Sequence, residues 1–287
     1  MRKLLIITLL FAIVSGFKND KPAYRIYDKT GKNVKYAKMI KHLAEADVVF
    51  FGELHTNPIC HWLQYEVTSD LYNVNSGNLI LGAEMFETDN QLILNEYLNG
   101  SISKKSFKKE ARLWPNYKTD YEPLVEFAKD SSLMFIATNI PRRYASVVYK
   151  KGMEGLDVLE PQAKMYIAPL PIEYDSTLNC YASMLEMQGM GGHVSSTLPM
   201  AQAIKDATMA YSIAGYAGEG AQFIHYNGAY HSDNFESILW YLNKYKPGLN
   251  ILTISSVDQE DISKLEEESV NKADYIIVID SEMTKTH

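Results

Sequence analysis

The chain has 287 residues, enough for one large domain or two modest ones with a substantial core. Its 46% hydrophobic and 22% charged residues are those of an ordinary globular protein, which excludes disorder and collagen-like repeats. The 35 Asp and Glu against 28 Lys and Arg give a formal charge of −7, which disfavours nucleic acid and anionic membrane surfaces as partners.

Residues 1–16 read as a signal peptide: Arg2-Lys3, an apolar run from Leu4 to Val14 too short to span a bilayer, then Ser15-Gly16. Phe17 stands where a lipoprotein would carry its acylated cysteine, so export to the periplasm or the outer-membrane periphery is expected without N-terminal acylation. Residues 17–287 are then a single mature domain. Two cysteines, Cys60 and Cys180, permit one disulfide in an oxidising compartment but do not form a disulfide scaffold.

Apolar runs recur at long spacing at 48–51, 79–81, 134–137, 223–224, 251–254 and 275–279. Amphipathic stretches such as Trp62 to Tyr72 and Tyr121 to Lys129 lie between them and read as helices. Strands alternating with helices predict an α/β fold, a mostly parallel central sheet flanked by helices. Residues 86–130 and 157–215 look almost wholly helical and exceed what a crossover needs, so they are expected to pack together as a helical subdomain. Lys104, Lys105, Lys108 and Lys109 read as a solvated helix face.

Four of the runs end in chemically useful residues: Gly52-Glu53-Leu54-His55, Glu84-Met85-Phe86, Asn139-Ile140-Pro141-Arg142, and His225 to His231. In an open α/β sheet, ligands bind beyond the carboxyl ends of the strands, so these segments are expected to meet in one polar cleft. Glu53 and His55, two apart in extended chain, share a face and can share a proton or a ligand. The plainer alternative is a hydrogen-bonded pair closing the sheet edge. On the following helix, His61 and Tyr65 are one turn apart, and His61 reads as a satisfied helix histidine or a cleft member.

No His-Glu-x-x-His helix or cysteine pair announces zinc, no Gly-x-Ser-x-Gly elbow supplies a nucleophile, and Gly215 to Gly220 precedes a strand, the wrong order for a phosphate cradle. Met184, Met187 and Met190, followed by Gly191-Gly192-His193, are either flexible core packing or the wall of a large flat ligand. Trp114, Tyr117 and Tyr121 cluster aromatics in the first insertion. Haem is a ligand whose pocket uses aromatics, methionines, cations for its propionates, and Tyr, His, Met or Cys on iron.

Together these motifs resemble the ChaN-like haem-binding proteins of the Tiki superfamily, whose distant relatives include TraB-like and erythromycin-esterase-like proteins. The resemblance runs through Gly52 to His55, His61 with Gln64, Glu84-Met85-Phe86, Gln91, Tyr97 to Gly100, Trp114 with Tyr117 and Tyr121, and Asn139 to Arg142. It resumes at His193, at Ala201-Gln202, from Asp206 to Ala210, and more faintly from Gly228 to His231. It implies an exported haem-uptake protein, an outer-membrane haem or iron receptor as partner, and a homodimer sharing haem between subunits.

Carried over by position, Glu53, His55, His61, Glu84, Asn139, Arg142 and His231 are the polar cleft, while Tyr117, Tyr121, His193, Met187, Met190 and Arg142 are candidate haem contacts. Iron is expected on Tyr117 or Tyr121 ahead of His193. The alternative is a metal-dependent hydrolase, esterase-like or protease-like, in which Glu53 or Glu84 takes a proton from water and His55 or His231 assists.

Overall fold

The computed structural model describes residues 21–189 and 195–286. The leader, Met190 and His193 lie outside the described residues, as does the side chain of Met187. Seven strands, β1 Tyr24–Asp28, β2 Val48–Glu53, β3 Leu79–Glu87, β4 Phe135–Asn139, β5 Gln222–Gly228, β6 Ile251–Gln259 and β7 Tyr275–Asp280, form one sheet in the order β1-β7-β6-β2-β5-β3-β4. Only the edge strand β1 is antiparallel, to β7; the remaining pairs are parallel. Every residue of β2, β3, β4 and β5 is buried, as expected of strands covered on both faces. The six apolar runs are thus strands. The Tyr-Arg-Ile-Tyr-Asp strand β1 is the addition, a half-covered edge without a continuous apolar signal.

Strand alternation assigns the helices to faces. Val49 and Phe51 point toward α1 (Tyr36–Leu43), α2 (Pro58–Val74) and the first insertion, which contains α3 (Gln91–Leu98), α4 (Lys104–Glu110) and α5 (Glu122–Asp130). Their neighbours Val48 and Phe50 point the other way. Beyond β4 come α6 (Arg142–Lys151), the single turn α7 (Pro161–Lys164), α8 (Asn179–Gly189), α9 (Leu198–Ala214) and α10 (Ile238–Tyr245). Residues of α8, α9 and α10 pack with Val48, Phe50 and Phe223 on this second face.

The expected joint packing of the two insertions is therefore corrected: the first covers one face of the sheet and the second the other. Nor is the second almost wholly helical. Residues 165–178 contain no helix, because Pro169 and Pro171 remove backbone donors and clash with helical continuation.

Cys60 lies in the core of the first face and Cys180 in that of the second, and both are free thiols. The sheet separates them, so the disulfide left open by the sequence is not formed. The Lys104 and Lys108 ammonium groups pair with Glu122 of α5, a solvated helix face with ordinary charge partners. Among the described residues, no helix is long and apolar enough to cross a membrane.

Candidate functional site

The glycine of Gly52-Glu53-Leu54-His55 is required by backbone proximity. A Cβ on Gly52 would lie 2.9 Å from Ala229 Cα and 3.0 Å from the Ile254 carbonyl oxygen, neither of which can move as a side chain can. That close approach brings the turn carrying His231 against the end of β2. Glu53 is buried there, and its Oε1 accepts from His55 Nδ1 at 2.8 Å and from the Tyr121 hydroxyl at 2.6 Å, while its Oε2 accepts from Gln64 Nε2. Gln64 Oε1 in turn faces His61 Nδ1 at 3.0 Å, and His61 Nε2 faces the His55 carbonyl at 3.0 Å. Asn116 Nδ2 donates to that same carbonyl and to Asp120, so the first insertion fixes the backbone of His55.

Because Glu53 accepts, His55 Nδ1 carries the hydrogen, and the neutral ring keeps its lone pair on Nε2. No described residue hydrogen-bonds to that nitrogen. The side chain is 42% exposed, and its ring lies over Gly228, where a Cβ would come within 2.8 Å of Cε1 and Nε2. Burial disfavours the charged ring, but the Glu53 hydrogen bond and the charges of Glu84 and Glu53 outweigh it and raise the His55 pKa.

A second buried network adjoins the first. Glu84 of β3 accepts from the Gly228 backbone N–H at 2.8 Å and lies 3.3 Å from His231 Nε2; Asp206 of α9 is 2.5 Å from His231 Nδ1 and accepts from the Tyr181 hydroxyl at 2.7 Å. Desolvation opposes charge on both Glu84 and His231, but their mutual attraction, with Asp206 behind, holds the carboxyl well below its usual range and raises the imidazole well above its own. Buried charges persist when paired and hydrogen-bonded on every side.

Both networks border a cleft of about 460 Å³ whose lining includes His55, Glu84, Trp114, Asn139, Arg142 and Lys205. Trp114 meets the His55 ring edge-on at 5.1 Å between centroids. Asn139 Nδ2 donates to the Glu84 carbonyl at 3.0 Å, which fixes the amide; its Oδ1 is buried without a partner. Arg142 pairs through Nε with Glu87 at the rim. A larger cavity of about 510 Å³ beside β4 holds none of these titratable groups.

The structure therefore brings Glu53, His55, His61, Glu84, Asn139, Arg142 and His231 to one end of the sheet. Tyr117 and Tyr121, expected as iron ligands, are buried in this structure with their hydroxyls away from the cleft lining. The Tyr121 hydroxyl is spent on Glu53, and Tyr117 is packed edge-on against Phe86 and Phe107 with its hydroxyl enclosed. Burial, reinforced by nearby carboxylates, raises both phenol pKa values. Met184 is core packing. His225 lies beneath the cleft between Thr138 and Asn227, fully enclosed.

Sequence reasoning did not assign roles to Asp206, Asn116, Asp120, Gln202 and Lys205. Asp206 did offer a signal, a carboxylate between Ala203-Ile204 and Ala207 in a stretch otherwise suited to burial.

A family model described as haem-binding uptake, Tiki superfamily, ChaN, matches residues 39–242. Over 224 residues the chain is 25% identical to the protein RETICULATA-RELATED 5, chloroplastic, of Arabidopsis thaliana, a match covering 71% of this chain and 30% of that protein. The chain thus spans less than a third of that relative's length. Among solved structures, Campylobacter jejuni ChaN with cofacially bound haem superposes with a TM-score of 0.68 at 18% identity, covering 89% of this chain and 96% of the other. A Bacillus cereus protein superposes with a TM-score of 0.50 at 13% identity, covering 85% and 90%. At these identities the structural likeness concerns the fold.

Proposed function

The chain belongs to the haem-binding uptake family of ChaN type in the Tiki superfamily, and from that membership we propose that it is an exported haem-binding protein serving haem or iron uptake, with haem held in the strand-end cleft against His55. One observation carries the assignment of the site: His55 Nδ1 is tied to the Glu53 carboxylate at 2.8 Å, leaving Nε2 at the cleft. A histidine whose second nitrogen donates to a carboxylate is oriented and made more basic for metal ligation. The donor set fits the group: an imidazole nitrogen for iron, the Trp114 side chain for flat apolar surface, and Arg142 and Lys205 for carboxylates. Bound there, haem supplies a Lewis-acidic iron and a planar apolar surface. The chain's part is to hold His55 in one tautomer through Glu53, Gln64 and Tyr121, and to fix its backbone through Asn116.

Export rests on the basic and apolar leader, and delivery to or from an outer-membrane receptor, like a homodimer sharing haem, belongs to this reading as proposal. The test is haemin titration of residues 17–287, wild type and His55→Ala, followed by absorption spectra and gel filtration. Saturable binding near one haem per chain or per two chains, with the Soret band shifted by His55→Ala, is expected. Absence of saturable binding to the wild type overturns the reading.

A hydrolytic reading has one observation in its favour: a carboxylate-oriented imidazole with a bare nitrogen is also the arrangement of a general base. Ester turnover that is lost in Glu53→Gln, with folding intact and haemin binding absent, would support it.

A further inference from the structure

Helix α9 contributes to the lining of the cleft, and its chemistry there differs from that of the buried networks. Gln202 and Lys205 both line the cleft. Three apart on a helix, they share a face. Both are partly buried, and no described residue takes either side chain as a hydrogen-bond or ion-pair partner; Gln202 Oε1 is enclosed without one. Lys205 therefore brings three N–H donors and a charge to the cleft without a described acceptor, and the Gln202 amide lies one turn before it on the same face.

The rim adds a second positive feature. Arg112 pairs with Glu87 and Asp89, Arg142 with Glu87, and Arg143 with Asp89. Three guanidinium charges against two carboxylates leave one positive charge unbalanced, and Arg142 uses only Nε for its partner, so its terminal nitrogens remain open to a ligand. Asn139 also lines the cleft, with its Nδ2 donating to the Glu84 carbonyl and its Oδ1 enclosed.

We propose that Lys205 and Gln202 form a carboxylate-binding subsite that, together with the Arg142 rim, receives the two carboxylates of a dianionic ligand of the haem type lying across the cleft. This rests on the haem reading above. Lys205 acts as the charge and Gln202, through its Nε2, as a neutral donor.

The test compares haemin with haemin dimethyl ester, which keeps the ring and iron and lacks both carboxylate charges. Lys205→Met retains the apolar stem of the side chain, Lys205→Arg retains the charge, and equal thermal midpoints establish that each variant folds. For haemin, Lys205→Met is expected to weaken binding about tenfold, Lys205→Arg to remain within about twofold of wild type, and Gln202→Ala to lose a few-fold. For the dimethyl ester, wild type and Lys205→Met are expected to bind alike. Undiminished haemin binding by Lys205→Met, or an equal loss for both ligands, overturns the subsite while leaving the haem reading intact. Failure of the wild type to bind haemin overturns both.

Discussion

One oxygen of Glu53 accepts two hydrogen bonds, from His55 Nδ1 at 2.8 Å and from the Tyr121 hydroxyl at 2.6 Å. The phenol is thus a support for the histidine's partner. Tyr121→Phe is expected to cost about 1.5–3 kcal/mol of stability, as for a lost hydrogen bond to a charged group, and to leave the position of the haemin Soret band unchanged. Urea denaturation and haemin spectra of the same preparation check this. A shifted band in Tyr121→Phe would return the phenol to the ligand position.

Gly228 sets how closely the His55 ring can lie against β5. In Gly228→Ala the new methyl would meet Cε1 and Nε2 of that ring at 2.8 Å, and the half-exposed ring is what can move. The fold is expected to persist, with a thermal midpoint within a few degrees of wild type, while haemin affinity falls roughly tenfold because a ligand displaced by about 1 Å is no longer held productively. Unchanged affinity would show that His55 is not the iron donor.

Among the described residues, His231 is the cation that bridges Glu84 and Asp206. His231→Ala leaves two buried carboxylates without it, and removing one partner of a buried ionic network costs about 3–5 kcal/mol. Chemical denaturation at neutral pH should show that loss. A change below about 1 kcal/mol would mean that water reaches the pair and that the network is not sealed.

Two histidines shape the pH dependence in opposite directions. Burial lowers His225 from 6.5 to about 4, so between those values the unfolded chain binds a proton that the folded chain refuses, and stability falls as pH drops through this window. The raised His231 acts the other way: its contribution is complete below its unfolded pKa and is lost as pH rises toward its folded value. Thermal midpoints measured across pH should therefore decline on both sides of neutrality. His225→Asn should flatten the acid limb and leave the alkaline limb in place; an unaltered acid limb would assign it to other groups.

Gln91 closes the open edge of the sheet. Its amide donates to the Phe135 carbonyl at 2.9 Å and accepts from the Ala137 N–H at 2.6 Å, occupying the ladder position that a residue of an eighth strand would take. Gln91→Ala is expected to cost about 1–3 kcal/mol and to increase self-association, since an uncovered edge offers unpaired backbone groups to another chain. Light scattering with concentration checks the second outcome; a monodisperse variant would mean that α9, whose Ser212 hydroxyl donates to the Thr138 carbonyl at 3.3 Å, protects the edge by itself.

The strands from Val48 to Ile279 were legible because burial on both faces demands continuous apolar runs, and the cleft was legible because polar residues at Glu53, Glu84, Asn139 and His231 end such runs at the same edge of a parallel sheet. These are local consequences of covering a strand and then stopping it. Three-dimensional packing alone decided the rest. An amphipathic helix shows that it covers something and not which face, so the separation of the insertions came from the alternation of Val48 and Phe50 with Val49 and Phe51. Tyr117 and Tyr121 have the same composition in a ligand pocket and in a core, and only their neighbours, Phe86 and Phe107 for one and the Glu53 carboxylate for the other, distinguish the two. Asp206, Gln202 and Lys205 lie within five residues on one helix, yet the first is sealed against His231 while the other two line the cleft. Sequence sets which side chains a helix presents together, but solvent access and charge partners depend on segments distant in the chain, and these determine what each side chain can do.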